Sequence, residues 1–141
     1  MTAMIPPIAL ALSLCVPLAS AAQTRFKTLH VAALAQALRS AAPPVVYDAN
    51  VQSTRDYVGV IPGAKLLSSS SKYDVAKELP ADKSTPLVFY CANVLCTASH
   101  AAAEKALKAG YADVSVMVDG IYGWKKAGQP CAPLAPPLIR S

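Results

Sequence analysis

One stretch constrains this chain more than any other, residues 86–110, which read PLVFYCANVLCTASHAAAEKALKAG. Behind Pro86, the run Leu87-Val88-Phe89-Tyr90 is short, apolar and aromatic, as expected of a strand buried on both faces. Residues 97–109 are alanine-rich with Lys and Glu interspersed, and Gly110 follows. They predict a helix with a glycine stop. Between strand and helix lies a tight loop that begins at Cys91. A thiol there faces the start of a helix, whose unpaired backbone N–H groups point outward. That field favours an anion by about 0.3–1 kcal/mol in exposed settings. Helix N-termini also lower a cysteine pKa from its ordinary value of about 8.5. The position can generate a thiolate, and the same N–H groups can hold an anionic ligand.

The rest of the chain alternates short apolar runs with helical patterns. Thr28 is placed to cap a helix running to Leu38, which Ala42-Pro43-Pro44 ends. Strands are expected at residues 45–47, 65–67 and 114–118. Helical segments are expected at residues 54–57, 73–79 and 121–127, the last carrying Trp124. Ile61-Pro62-Gly63-Ala64 is a turn. This order implies an α/β fold, a central parallel sheet with helices on both faces. Ligands of such sheets bind outside the carboxyl ends of the strands, where Asp48 and Cys91 both stand.

A chain of 141 residues accommodates one domain with a core of its own. Its formal charge of +5 and pI near 9.1 raise the question of nucleic acid. The thirteen Lys and Arg are scattered, however, with no aromatic platform among them, so no nucleic-acid partner is expected. A mildly basic domain that handles small anions is the simpler reading.

The N-terminus differs in kind. Residues 8–18 are apolar apart from Ser13, and Ala19-Ser20-Ala21 supplies small residues at the spacing of a signal-peptidase site. Residues 1–22 are read as a secretory signal peptide, 23–130 as the folded domain and 131–141 as a proline-rich flexible tail. The apolar run is too short for a comfortable span, so no stable membrane anchor is expected, and the mature chain is placed in the periplasm or outside the cell. Cys91, Cys96 and Cys131 remain after export, an odd number for an oxidising compartment. No Cys-x-x-Cys or His pair has ligand spacing, and no glycine-rich phosphate loop is present, so neither metal nor cofactor is expected.

Four segments in order resemble those of single-domain rhodaneses, a family of sulfurtransferases. They are Val45-Val46-Tyr47-Asp48, Ile61-Pro62-Gly63-Ala64, Phe89-Tyr90-Cys91, and the closing Asp119-Gly120 through Trp124 to Gly128-Gln129-Pro130. The resemblance covers roughly residues 28–130. It implies that Cys91 attacks the outer sulfur of a small anionic donor such as thiosulfate, carries it as a persulfide and passes it to a nucleophilic, thiophilic acceptor. The loop N–H groups of Ala92, Asn93, Val94, Leu95, Cys96 and Thr97 would stabilise the charged sulfur. The sequence names neither the acceptor nor an oligomeric state.

The chain departs from the family pattern in three places. Asp48-Ala49-Asn50 replaces Asp-x-Arg, and Val60 stands where many members have His. Counted from Cys91, Cys96 occupies the position often held by Arg. In a second register, Thr97-Ala98-Ser99-His100 resembles a Thr-Ala-x-His helix start, and the loop is one residue longer. Cys96 is either a resolving thiol for Cys91, by disulfide or persulfide relay, or a loop filler. His100 falls on the helix side of Glu104 and Lys108, opposite Ala98, Ala102, Ala106 and Ala109, so solvent is its default surrounding and proton transfer the alternative. Asp48 reads as a hydrogen-bond acceptor near the loop, and Trp124 as core or as a wall of the mouth. A Cys-dependent phosphatase needs a cation in its loop, and this loop has none. A persulfide carrier, a thiol redox sensor or a binding module remain the non-enzymatic alternatives.

Overall fold

The computed structural model describes residues 25–134, so the expected signal segment and most of the expected tail lie outside the described residues. Five strands, β1 Lys27–Leu29, β2 Val45–Asp48, β3 Lys65–Leu66, β4 Leu87–Tyr90 and β5 Val114–Met117, form one parallel sheet in the order β1-β5-β4-β2-β3. The centre goes to β4 because all four of its side chains are apolar or aromatic and can be covered on both faces. Leu87 and Phe89 enter one cluster with Tyr47, Val114 and Val116, and Val88 and Tyr90 enter the other with Val46 and Met117. That alternation is the period-2 pleat of a strand.

The helices divide accordingly. Helix α4 (Ala98–Lys108) packs Ala102, Ala103 and Ala106 on the Phe89 face, where Tyr73 and Leu79, flanking the short α3 (Val75–Glu78), also sit. Helices α1 (Val31–Leu38), α2 (Gln52–Val58) and α5 (Gly120–Lys126) cover the Tyr90 face through Leu34, Val58, Ile121 and Trp124. The helix after β2 therefore lies on one face and the helix after β4 on the other. Since β2 and β4 are neighbours, a crevice opens between their carboxyl ends, the place where such sheets bind ligands.

Several expectations are corrected. Thr28 lies in β1 and caps nothing; α1 begins at Val31 after His30, which provides no side-chain cap. The Asp119 carboxylate accepts from Val31 N–H at 2.9 Å instead, from 88 positions away. The buried face of α4 is Ser99, Ala102, Ala103 and Ala106, while Ala98 and Ala109 are half-buried. Ile61-Pro62-Gly63-Ala64 is the expected turn, closed by Ala64 N–H to Ile61 O at 2.9 Å with Gly63 at φ 81°. The beginning of the proline-rich segment is held down: Ala132 pairs antiparallel with Val60, and Trp124 Nε1 donates to Pro130 O at 2.8 Å.

Candidate active site

Cys91 directly follows Tyr90, the last residue of β4, and is 2% exposed. Two backbone contacts fix the loop that follows. Ile121 N–H donates to Cys91 O at 2.8 Å, and Tyr122 N–H to Ala92 O at 3.0 Å, so the first turn of α5 takes both carbonyls. A trans peptide points its N–H opposite its C=O, and no cis bond occurs among the described residues. The N–H groups of Ala92 and Asn93 are therefore turned away from α5. Gly120 makes this approach possible, because a Cβ there would strike the Ala92 backbone and φ is +67°. Asn93 then turns the chain: its side-chain oxygen accepts from Leu95 N–H at 3.0 Å and its carbonyl from Cys96 N–H at 3.1 Å. Val94 and Leu95 form the exposed tip. Thr97 stands before α4 and offers no side-chain cap.

Cys91 and Cys96 are joined as a disulfide, with Cα atoms 6.3 Å apart. Cys91 Sγ lies 3.3 Å from Cys96 O and 3.3 Å from Ser99 Oγ. Ser99 is 2% exposed, in the first turn of α4, so its hydroxyl can donate to a sulfur that carries no proton. Cys131 lies apart from this pair, and burial pushes its thiol pKa up.

On the other side of the crevice Asp48 is fully buried. Its Oδ1 accepts from Asn50 N–H at 2.7 Å and from Arg55 Nε at 3.0 Å, and its Oδ2 from Asn50 Nδ2 at 3.3 Å. Arg55 Nη2 donates to Asp48 O and to Leu67 O, both at 2.9 Å. Among the described residues Nη1 has no hydrogen-bond partner, yet no polar side-chain atom there is both buried and unpartnered. Nη1 therefore keeps some contact with solvent, and Arg55 is among the residues that line a cleft. That cleft, about 650 Å³, is bounded by Asn50 and Arg55 on one side, Ser68, Ser69 and Ser70 above, and Ala92 and Cys96 opposite. The serine loop is held by Glu78, which accepts from Ser68 Oγ at 2.6 Å and from Ser68 N–H at 2.9 Å. Burial alone would raise the Glu78 carboxyl, but the Ser68 hydroxyl, the Ser68 N–H and the Asp74 N–H outweigh it and hold the group below its ordinary range. Behind the cleft, the Tyr90 hydroxyl accepts from Ile61 N–H at 3.1 Å. Burial first, and the Asp48 carboxylate next, keep it from ionising.

The structure thus brings the loop residues and Asp48 together, the latter through Arg55. His100 is half-buried with its ring 5.1 Å from that of Phe26, and does not line the cleft. Trp124 is buried among Val31, Leu34 and Ile121 on the opposite face of the sheet from α4. Sequence reasoning missed Arg55 and Ser99. A signal for Arg55 existed: a strand-end carboxylate on a buried strand needs a partner, and Arg55 is the sole Arg or Lys between Asp48 and Lys65. Ser99 gave none, since its meaning depends on how close α4 comes to β4. Among the described residues, no three His, Cys, Asp or Glu side chains converge and no helix is long and apolar enough to cross a membrane.

Known proteins share this architecture. A solved protein of Rhodopseudomonas palustris, described as of unknown function and a possible tyrosine phosphatase, is 27% identical, with 76% of this chain and 85% of that one covered at a TM-score of 0.63. A thiosulfate sulfurtransferase of Pseudomonas aeruginosa is 26% identical at a TM-score of 0.61, over 77% of this chain but only 20% of the enzyme. The rhodanese-like domain of an Anabaena protein is 21% identical, with 84% and 86% covered and a TM-score of 0.62, which bears on fold alone. No curated protein matches. The model of the rhodanese-like domain matches residues 30–127. With that match over most of the chain, and with Cys91 at the central strand's end, the chain belongs to the family of rhodanese-like domains.

Proposed function

We propose that this protein is an exported sulfurtransferase that carries sulfane sulfur as a persulfide on Cys91. The observation that carries the reading is the position of Cys91: directly after the central strand, bonded to Cys96, and next to Ala92, both of which line a cleft that Arg55 also lines. Once the disulfide is reduced, the Cys91 thiolate attacks the outer sulfur of a thiosulfate-like donor. The donor's S–S bond breaks, and its electron pair leaves with sulfite. Of the loop N–H groups expected to serve, those of Leu95 and Cys96 are taken by Asn93. The N–H groups of Ala92, Asn93 and the first turn of α4 therefore stabilise the persulfide anion, and Ser99 Oγ can donate to Cys91 Sγ. Arg55 Nη1 attracts the anionic end of the donor. An acceptor nucleophile then takes the outer sulfur and restores the thiolate. Membership of the rhodanese-like family and the Pseudomonas sulfurtransferase neighbour support this class of reaction.

Intact mass of the reduced Cys96→Ser protein after thiosulfate is the test, since that variant leaves Cys91 without its disulfide partner. Addition of one sulfur atom is expected, and an unchanged mass overturns the reading. Export is part of the proposal, motivated by the apolar residues 8–18 and consistent with a disulfide, which persists in oxidising compartments. N-terminal sequencing from an exporting host should find a chain starting near Ala22 or Gln23, whereas a cytoplasmic product retaining Met1 would sink it. The phosphatase reading suggested by the Rhodopseudomonas neighbour is disfavoured. Residues 91–97 contain no Arg or Lys, and Arg55 already commits Nε and Nη2 to Asp48 and Leu67, which leaves no free fork for a phosphoryl group.

A further inference from the structure

Cys96 has no part in the transfer just described, yet it is bonded to the nucleophile and lines the donor's cleft. We propose that Cys96 is an internal resolving nucleophile, so that where no outside acceptor takes the sulfur first, this domain releases it as hydrosulfide and ends the cycle as the Cys91–Cys96 disulfide. The inference rests on the persulfide reading and deepens it by naming what consumes the persulfide.

The chemistry balances without an external oxidant. Cys91 carries Sγ–SH after donor cleavage and protonation of the outer sulfur by solvent. The Cys96 thiolate attacks Cys91 Sγ, and a bond forms between the two Sγ atoms. The bond from Cys91 Sγ to the outer sulfur breaks, and its electron pair departs with that sulfur as HS⁻, which keeps its proton. The product is the disulfide in the structure. A dithiol reductant, small or protein-borne, then supplies two electrons and two protons, regenerates both thiols and is itself oxidised to a disulfide.

Geometry favours this course over diffusion of an outside thiol to Cys91. The Cα atoms lie 6.3 Å apart, inside the range a disulfide spans. The turn made by Asn93 Oδ1 to Leu95 N–H and Asn93 O to Cys96 N–H already folds the loop back on itself, so the second thiol is delivered intramolecularly. Cys91 is 2% exposed, which hinders a bulky acceptor, whereas Cys96 is its loop neighbour. Attack on Cys91 Sγ yields the observed bond; attack on the outer sulfur would leave a persulfide on Cys96 and no sulfide.

The test compares the full chain carrying Cys131→Ser with the same chain carrying Cys96→Ser as well. Both are reduced, freed of reductant and mixed with thiosulfate, and both sulfide and intact mass are followed. The Cys96-containing protein should release one sulfide per chain without added thiol and end two hydrogens lighter than its dithiol form. The Cys96→Ser protein should keep a one-sulfur adduct and release at least tenfold less sulfide. If both proteins hold the adduct equally, or release sulfide equally, Cys96 is not the resolving group and the inference falls while the persulfide stands. If neither protein takes up sulfur, the persulfide reading falls and the inference with it.

Discussion

Two corners of the molecule meet at the cleft and are built in opposite ways. The Cys91 corner is contiguous and uncharged: residues 91–99 hold no Lys, Arg, Asp or Glu, and its polarity resides in peptide N–H groups, two sulfurs, the Asn93 amide and the hydroxyls of Thr97 and Ser99. The Asp48 corner is a buried ion pair drawn from separate elements, with Arg55 bonded to Asp48 and to Leu67 O. The first can stabilise negative charge with oriented dipoles and keep its thiols reactive. The second supplies the cation that the loop lacks. A cation in the loop could serve both ends, but here position 96 holds a thiol, and the positive charge comes from across the crevice.

The largest expected effect lies in the first corner. Cys91→Ser should abolish sulfur transfer from thiosulfate to cyanide while the thermal transition of the reduced protein stays nearly in place, because serine preserves size at a strand end. Undiminished thiocyanate formation by that variant would remove the Cys91 corner from the chemistry altogether.

Arg55→Ala probes the second corner. It leaves the fully buried Asp48 carboxylate without its cation, a loss of roughly 3–5 kcal/mol by urea denaturation. Asp48→Asn with Arg55→Met should recover part of that loss, since the cost comes from an unpaired buried charge. A single-variant cost below about 1 kcal/mol would show that the pair does not hold the corner together.

Gly120→Ala sharpens the comparison from the outside. The added methyl meets the Ala92 backbone at a φ of +67°, so the loop or α5 must shift, at about 1–3 kcal/mol. Transfer activity should fall by more than stability explains, and an activity equal to the parent's would mean that the N–H orientation does not matter.

The smallest effect is a pH response at the serine rim. Glu78 has its pKa depressed in the folded state, so the stability it adds is present above the ordinary carboxylate range and lost as pH falls through its lower folded value. Glu78→Gln should cost about 1 kcal/mol at neutral pH and flatten the acid limb of a stability profile. If the parent and variant profiles run parallel, the Ser68 contacts carry no linkage.

Much of this was legible in the chain. The apolar run 87–90, the alanine-rich helix with its glycine stop and the Pro62-Gly63 turn state their structure locally, through periodicity and backbone preference. Strand ends so placed made Cys91 and Asp48 candidates before any coordinates. Where local cues misled, the deciding partner was distant: β1 has three residues and exists because β5 accepts it as an edge, and Asp119 takes over the cap assigned to Thr28.

The sequence by itself determined a parallel α/β domain, a cysteine at the end of a buried strand, and a second cysteine five residues on. Only the tertiary structure decided which cation serves the site, that Ser99 lies beside Cys91 Sγ, and that the two loop sulfurs meet. The division has one physical reason. Propensity, periodicity and turn chemistry act over a few residues, whereas desolvating a charge or bringing two sulfurs together depends on groups whose separation is set only when the sheet assembles.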